Sequence, residues 1–447
     1  MKQLLLFLSI FLASSLLLAQ EDLFSDDIET LKEKSLQGSA EAQGKLGYCY
    51  LIGNKIDKDE REAFKLLTSA AKSNDAFAQY HLGQCYYNGV TTKQSYSKAF
   101  QWTKKAAEQS FEKAYGLLGQ MYYKGTGTIS DKKEAVKWLK PAVEYDEDDT
   151  ESMYLLATCY ATGDGIFINE AKAAEYYEKA AEKGHAQSQN ELAYAYKHGK
   201  GVAPNMGKAV ELYTKIADEG DRDAQYFLAE SYANGDGVEQ DDKKAFEWYS
   251  KAAEKGHIDA QNKLGKHFEE GKGTKQTHEK AFEWYKKAAD AGNLEAMNSL
   301  GNLYYNGHGV REDQKEAFSW YSKASKDKMP EALYNMAICY SKGHGVRMNA
   351  TKAAELLFEA AHQEYAPAQN LLGTFYLEGI GVSLDYEKGT TWLTIAAEQG
   401  YAEAQYNIGN CYRTGKGFKK DKAKAREWLE KAANQGHEAA KKDLERL

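Results

Sequence analysis

From Ala42 onward the chain repeats one pattern of apolar, small and polar positions every 36 residues. Units begin at Ala42, Ala78, Ala114, Ser152, Ser188, Ala224, Ala260, Ala296, Ala332, Ala368 and Ala404, and only the step from Ala114 to Ser152 is longer, at 38 residues. Position 5 of each unit is Leu, Met or Ile, position 6 is Gly or Ala, and position 9 is Tyr except for Phe268. Positions 1, 5, 8 and 9 share one face of a helix, and positions 22, 25, 26, 29 and 30 share one face of a second, because three- and four-residue spacings recur on one side of a helix. All seven tryptophans stand at position 25, so the pattern predicts that they face inward. The small residue at position 6 lets the two helices approach closely. Glycine fills position 12 in all eleven units, which predicts a left-handed C-cap. Asp at position 18, as in Asp241 and Asp313, predicts the N-cap of the second helix. Glycine near position 33, as in Gly184, Gly256 and Gly400, ends it. One such hairpin cannot bury its apolar face alone, so the units must stack.

The string Leu228-Ala229, Tyr232, Gly235-Asp236-Gly237-Val238, Lys244-Ala245, Trp248-Tyr249, Lys251-Ala252-Ala253, Gly256 resembles the Sel-one-like repeat, a variant of the tetratricopeptide repeat with a longer loop between its helices. The resemblance runs from Ala42 to Gly436. It implies an all-α fold, a right-handed α/α superhelical solenoid of about eleven 36-residue helix-pair repeats with a concave groove, and the work of a scaffold or adaptor. Residues 20–41 are then an N-terminal capping half-repeat, 42–151 repeats 1–3, 152–439 repeats 4–11, and 440–447 a C-terminal cap. The division at 151 rests on Pro141, which should kink or end the second helix of the third unit, and on two extra residues near Asp146-Glu147-Asp148-Asp149. The expectations there are an irregular joint, or a flexible point between a three-repeat block and an eight-repeat block, with a local bulge in a continuous stack as the alternative.

Composition adds little to the fold but bears on setting. Four prolines among 447 residues agree with helix. The net charge of −8 is spread over interleaved signs, with no basic stripe, so no nucleic-acid partner is expected. Lys2 and the apolar run Leu4 to Leu18 read as a signal peptide over residues 1–19, cut after Ala19; the alternative is an uncleaved anchor. The run is shorter than the ~20 apolar residues a spanning helix needs, and no later segment is a transmembrane candidate. The chain is therefore expected to be exported, periplasmic or secreted. A eukaryotic secretory lumen is the alternative, where Asn349-Ala350-Thr351 would be a glycosylation acceptor.

Candidate chemistry follows the repeat and so argues against a catalytic centre. Cys49, Cys85, Cys159, Cys339 and Cys411 all stand at position 8, where Met121, Leu303 and Phe375 stand in other units, which predicts free buried thiols. No paired Cys or His has metal-ligand spacing, and no metal or cofactor is expected. His185, His257 and His437 follow the terminal glycine of a second helix and His308 and His344 lie between loop glycines, a phase that predicts surface loops. His267 replaces the apolar residue of position 8 and is expected to be the one buried, hydrogen-bonded histidine. Ser-x-x-Lys occurs at Ser69, Ser95, Ser110, Ser130 and Ser325 without the partner strings of a β-lactam-reactive enzyme, and the Gly-x-Gly loops end helices rather than open them. No catalytic residue is assigned and the chain is not expected to be an enzyme.

In the first helix, positions 3, 7, 10 and 11 lie opposite the buried face, and the resemblance makes them the concave lining. Position 3 carries Tyr80, Tyr154, Tyr226, Tyr334 and Tyr406, with Asn190, Asn262, Asn298 and Asn370 in other units. Position 7 carries Tyr48, Gln84, Gln120, Tyr194, Asn302 and Asn410; position 10 carries Tyr87, Tyr123 and Tyr305; position 11 carries Asn88, Asn234 and Asn306. Tyrosine offers a large apolar body and one hydroxyl, and amides bond an extended backbone. The expected ligand is a protein or peptide held in this groove. A glycan, in envelope polysaccharide assembly or export, is the second ligand class, and a penicillin-binding or β-lactamase-like cell-wall enzyme is the third reading.

Overall fold

A computed structural model describes residues 27–447; the expected signal peptide at 1–19 and the start of the capping half-repeat lie outside the described residues. These form 24 α-helices and one short 3-10 turn, with no strand among the described residues. The chain divides into two compact units, one ending at Ile216 and one running from Ala217 to Leu447. In the first, Ile28–Leu36 precedes the pairs Ala40–Ile52 with Glu60–Lys72, Ala76–Asn88 with Tyr96–Glu108, Ala114–Lys124 with Lys132–Tyr145, and Thr150–Thr162 with Glu170–Glu182. Ala186–His198 follows, and the boundary falls inside its partner, Met206–Asp218. In the second, six pairs run from Arg222–Asn234 with Asp242–Glu254 to Ala402–Thr414 with Lys422–Asn434, and Glu438–Leu444 closes the unit. The fold is an α/α solenoid of helix pairs.

The predicted faces are the buried ones. Leu118, Leu139, Leu156, Leu228, Leu264 and Leu300 are buried to within 1%. Each such leucine contributes roughly 2 kcal/mol through the apolar area it removes from water. Position 6 is small because position 26 of the partner helix lies against it. A Cβ on Gly265 would sit 2.7 Å from the Tyr285 ring, and one on Gly301 would sit 2.5 Å from the Tyr321 ring. All five cysteines are free and buried, and burial raises their thiol pKa values, to about 11 at Cys159, Cys339 and Cys411.

The helix ends form as the sequence predicts. Gly163 (φ 83°) and Gly235 (φ 80°) are left-handed C-caps whose N–H groups bond the carbonyls of Cys159 and Ser231. Asp131, Asp241 and Asp313 accept from two backbone N–H groups each at the start of a second helix. The left-handed turn at position 33 forms without glycine in four repeats and is missing only from the third, where Asp146 is extended at φ −121°. Asn74, Ser110, Lys328 and Glu364 adopt it with φ between 59° and 68°.

Three features depart from the sequence reading. The tryptophans are half-buried rather than internal, except Trp320 at 8% exposure. A lysine three residues on lies over several of the rings, at 3.6 Å for Lys251 on Trp248 and 3.5 Å for Lys323 on Trp320. Pro141 lies inside a helix that continues to Tyr145, so the proline does not end it. The glycine of position 14, present in nine of the eleven units, is the point where one repeat rests on the one before. A Cβ on Gly165 would lie 2.4 Å from the Lys132 carbonyl group, and one on Gly309 would lie 2.3 Å from that of His278. Buried Gln79, Gln189, Gln369 and Gln405 add a second tie: each donates from Nε2 to a carbonyl eight residues earlier, at the end of the preceding helix.

Candidate partner-binding face

The predicted lining residues divide by burial. Tyr194 is exposed; Tyr48, Tyr80, Gln84, Tyr87, Gln120, Tyr123, Tyr154, Asn190, Tyr226, Asn302, Tyr305, Tyr334, Tyr406 and Asn410 are half-buried; Asn262, Asn298 and Asn370 are buried. Three asparagines of position 3 tie adjacent repeats, while Asn190 donates to the Ala186 carbonyl of its own helix. Asn335 Nδ2 donates to Asn298 Oδ1 at 2.9 Å, Asn407 Nδ2 donates to Asn370 Oδ1 at 2.9 Å, and Asn262 Nδ2 donates to Glu295 at 3.0 Å. Position 7 holds the hydroxyls of buried Tyr249 and Tyr321 at position 26, while the Tyr285 hydroxyl donates to Glu269 at position 10, at 2.7 Å. The Tyr321 hydroxyl donates to Asn302 at 2.8 Å, and the Tyr249 hydroxyl donates to Glu230.

The tyrosines of position 3 each meet a ring at position 34, the residue that opens the next first helix. Tyr226 stacks on His257 with centroids 4.3 Å apart, Tyr406 on His437 at 4.5 Å, and Tyr154 tilts over His185 at 5.0 Å. Tyr334 meets Tyr365 at 5.7 Å and Tyr80 meets Phe111 at 5.4 Å. Where position 3 is glycine, an Asp at the start of the next helix takes the space: a Cβ on Gly116 would lie 2.2 Å from Asp149 Oδ2, and one on Gly44 2.8 Å from Asp75 Oδ1. The signal was present in the sequence as a coupling within the repeat, since every Tyr at position 3 has a ring at position 34.

His185, His257 and His437 lie in the loops as predicted, but their side chains are only 12–15% exposed. Each accepts at Nδ1 from the backbone N–H of Ser188, Ala260 or Ala440, capping the next helix. The proton of the neutral ring therefore stands on Nε2, which faces Glu151 at 3.3 Å, Asp223 at 3.7 Å and Glu403 at 2.9 Å. His185 and then Lys124, bonded to Glu151, hold that carboxylate down at about 2. The arrangement is a cap repeated in three places.

His267 is buried as expected, and its Nδ1 donates to the Lys272 carbonyl at 2.9 Å. It is not the sole buried histidine. His81, at position 4, is 7% exposed, with ring centroids 4.2 Å from Tyr48, 4.3 Å from Phe77 and 5.0 Å from Tyr80. Burial pushes its pKa down to about 3. Position 4 is off the apolar stripe, so helical periodicity passed over it; three rings from two repeats cover it.

Each unit has a concavity walled in part by position-3 residues. In the first unit a cleft of about 470 Å³ is walled by Tyr80, Tyr145, Glu112, Asp146, Asp149 and Lys113. It forms where the Ala114–Lys124 helix starts without a side-chain cap and where the extra residues follow Tyr145. In the second unit a cleft of about 650 Å³ is walled by Tyr226, Asn262, Asn293, Asp259, Glu295 and Lys263.

The Sel1 repeat family profile matches eleven consecutive segments between residues 40 and 437. The chain belongs to the Sel1-repeat family. No curated protein matches it. A similar solved structure is c5321, described as a protective antigen present in uropathogenic Escherichia coli strains displaying an SLR fold; it is 35% identical over 94% of this chain and 91% of that one, with a TM-score of 0.77. A Sel1 repeat protein from Oxalobacter formigenes is 30% identical over 69% of this chain and 89% of that one, with a TM-score of 0.55. Within the Sel1 array the segments 113–144 and 150–185 leave residues 145–149 unmatched, and three walls of the first cleft, Tyr145, Asp146 and Asp149, fall in that gap.

Proposed function

We propose that this Sel1-repeat protein is a non-catalytic scaffold that works outside the cytoplasm and holds a peptide or protein segment along the position 3, 7, 10 and 11 face of its first helices. The family supports a protein-interaction scaffold. The observation that carries the groove reading is the rank of half-buried tyrosines along that face, held by neighbouring rings or, at Tyr123, by the Lys132 ammonium, and so presented at little entropy cost. Export is supported by Lys2 and the apolar run that follows it, and by the likeness to c5321, which is described as a protective antigen.

The test is affinity capture from extract of the protein's own source, with native bait beside a Tyr194→Ala, Tyr226→Ala, Tyr406→Ala bait whose helical circular dichroism matches the native. A partner held by the native bait and released by the variant supports the groove. A partner kept by both moves the site to another surface, such as the loop edge where Ile129 and Phe167 are 89% and 95% exposed. For export, the first residue of protein recovered outside the cytoplasm should be Gln20; recovery only in the cytoplasm rejects that part of the reading.

A further inference from the structure

We infer that the segment each of the two clefts receives is basic, with arginine or lysine side chains seated against its carboxylates. The inference rests on the groove reading above and names the chemistry of its ligand. The two clefts lie in separate units and have different origins, yet they share one composition. Each has a position-3 tyrosine on its wall, Tyr80 or Tyr226, and each carries more carboxylates than lysines. Glu112, Asp146 and Asp149 stand against Lys113 in the first; Asp259 and Glu295 stand against Lys263 in the second. Lys263 is already paired with Glu230 at 3.6 Å, so it does not offset its own cleft.

None of these five carboxylates takes part in an ion pair among the described residues. Their bonds are to neutral donors: Asp149 accepts from the Ser152 N–H, Asp146 from the Asp148 N–H, Asp259 from the Asn293 amide at 2.9 Å and Glu295 from the Asn262 amide at 3.0 Å. The second clefts' asparagines thus aim the carboxylates without neutralising them. A carboxylate keeps about four acceptor sites, so each retains room for an incoming cation. The tyrosine walls suit the same guest, since a guanidinium stacks on an aromatic face while its edge bonds a carboxylate in two places. An acidic segment would meet like charge in both clefts, and a purely apolar one would leave the carboxylates desolvated and unpaired.

The test measures fluorescence anisotropy of three labelled peptides, alternating Arg-Ala, Gln-Ala and Glu-Ala, with the purified protein at about 50 and about 300 mM salt. The Arg-Ala peptide should bind about tenfold or more tighter than Gln-Ala at the lower salt, and the margin should shrink at the higher. Glu112→Gln with Asp146→Asn, combined with Asp259→Asn and Glu295→Gln, should remove the margin. Lys113→Glu should widen it, a gain that misfolding does not produce. Glu134→Gln with Glu175→Gln, on second helices, should leave binding unchanged. Equal binding of Arg-Ala and Gln-Ala overturns the basic-segment inference and leaves the groove reading standing. Equal weakening by the Glu134 and Glu175 substitutions also overturns it, because the attraction would then be a diffuse effect of an acidic chain. Binding of none of the three peptides overturns both.

Discussion

Alanine at Gly165 should cost the fold far more than alanine at Gly184, although the two backbones have nearly the same left-handed φ, 73° and 86°. At Gly184 nothing lies within 4 Å of the added Cβ, so the cost is the conformational penalty alone, about 1–2 kcal/mol, less a few tenths recovered from the stiffer unfolded chain. At Gly165 the Cβ would lie 2.4 Å from the carbonyl carbon and oxygen of Lys132 and 2.6 Å from the nitrogen of Lys133. These are backbone atoms at the start of the Lys132–Tyr145 helix, and no rotamer change can move them aside. The loop must lift off the preceding repeat, which adds a further ~1–3 kcal/mol by the usual cost of overpacking. Urea unfolding followed by helical circular dichroism measures both variants, with comparison at the midpoint where the slopes agree. Gly165→Ala should lose about 2 kcal/mol more than Gly184→Ala. Equal losses would show that the position-14 loop does not bear on its neighbour, and the repeat-to-repeat contact derived from that glycine would be wrong.

His81 makes a pH prediction. Its folded pKa of about 3 lies below the ordinary 6.5, so the unfolded chain binds more protons between those values and stability is full above 6.5 and lost as pH falls. From pH 7.5 to pH 5 this one group should cost about 2 kcal/mol, and His81→Phe should flatten that part of the urea-midpoint profile; an unchanged slope in the variant refutes the assignment. Thr91 holds the position-14 turn at φ 70°, a strained backbone for a β-branched residue, so Thr91→Gly should stabilise the fold by about 0.5–1 kcal/mol, the net of strain relief and glycine entropy, and so raise the melting temperature. A lower melting temperature would mean that the loop is held by the threonine side chain. The five cysteines should be silent to a thiol reagent in native protein and all react in urea; any fast native thiol contradicts their burial at position 8.

The helices, their caps and their packing faces were legible because each is set by local spacing repeated eleven times. Position 12 glycines and position 18 aspartates announce themselves, since a left-handed turn and an orphan N–H group admit few residues. What lay outside that reading depends on partners distant in sequence. The Trp248 ring looks internal by helical phase, but it lies at the rim of its helix pair, where Lys251 covers it. His81 looks peripheral by the same phase and is enclosed by Tyr48, Phe77 and Tyr80. The candidate face was located by residue type, yet its internal ties, Asn335 to Asn298 and Tyr321 to Asn302, cross between helices and have no local signature. The ring pair at positions 3 and 34 is the intermediate case, visible once two positions of the repeat are read jointly.

A periodic molecule can hold an extended ligand only with what varies along the period. The most regular positions here are consumed by the stack: the aliphatic residue at position 5, the small residue at 6, the glycines at 12 and at most of the 14s, and the small residue at 22 face another part of the array. Positions 3 and 34 come in matched forms where position 3 is tyrosine, with a ring, or glycine, with an aspartate, so those repeats present an aromatic or an acidic surface at the same place, and the repeats with asparagine at position 3 present an amide. In the first cleft a tyrosine repeat and an aspartate repeat fall side by side, at Tyr80 and Asp149, and the interrupted spacing after Tyr145 opens room between them. The order of such matched pairs along the chain is then the information a partner would read, and exchanging Gly116 and Asp149 for the Tyr and His found at Tyr226 and His257 should close the cleft while keeping the helix caps. Weaker basic-peptide binding with retained helicity is the expected result, since the second cleft is left intact; unchanged binding would place the recognition elsewhere on the face.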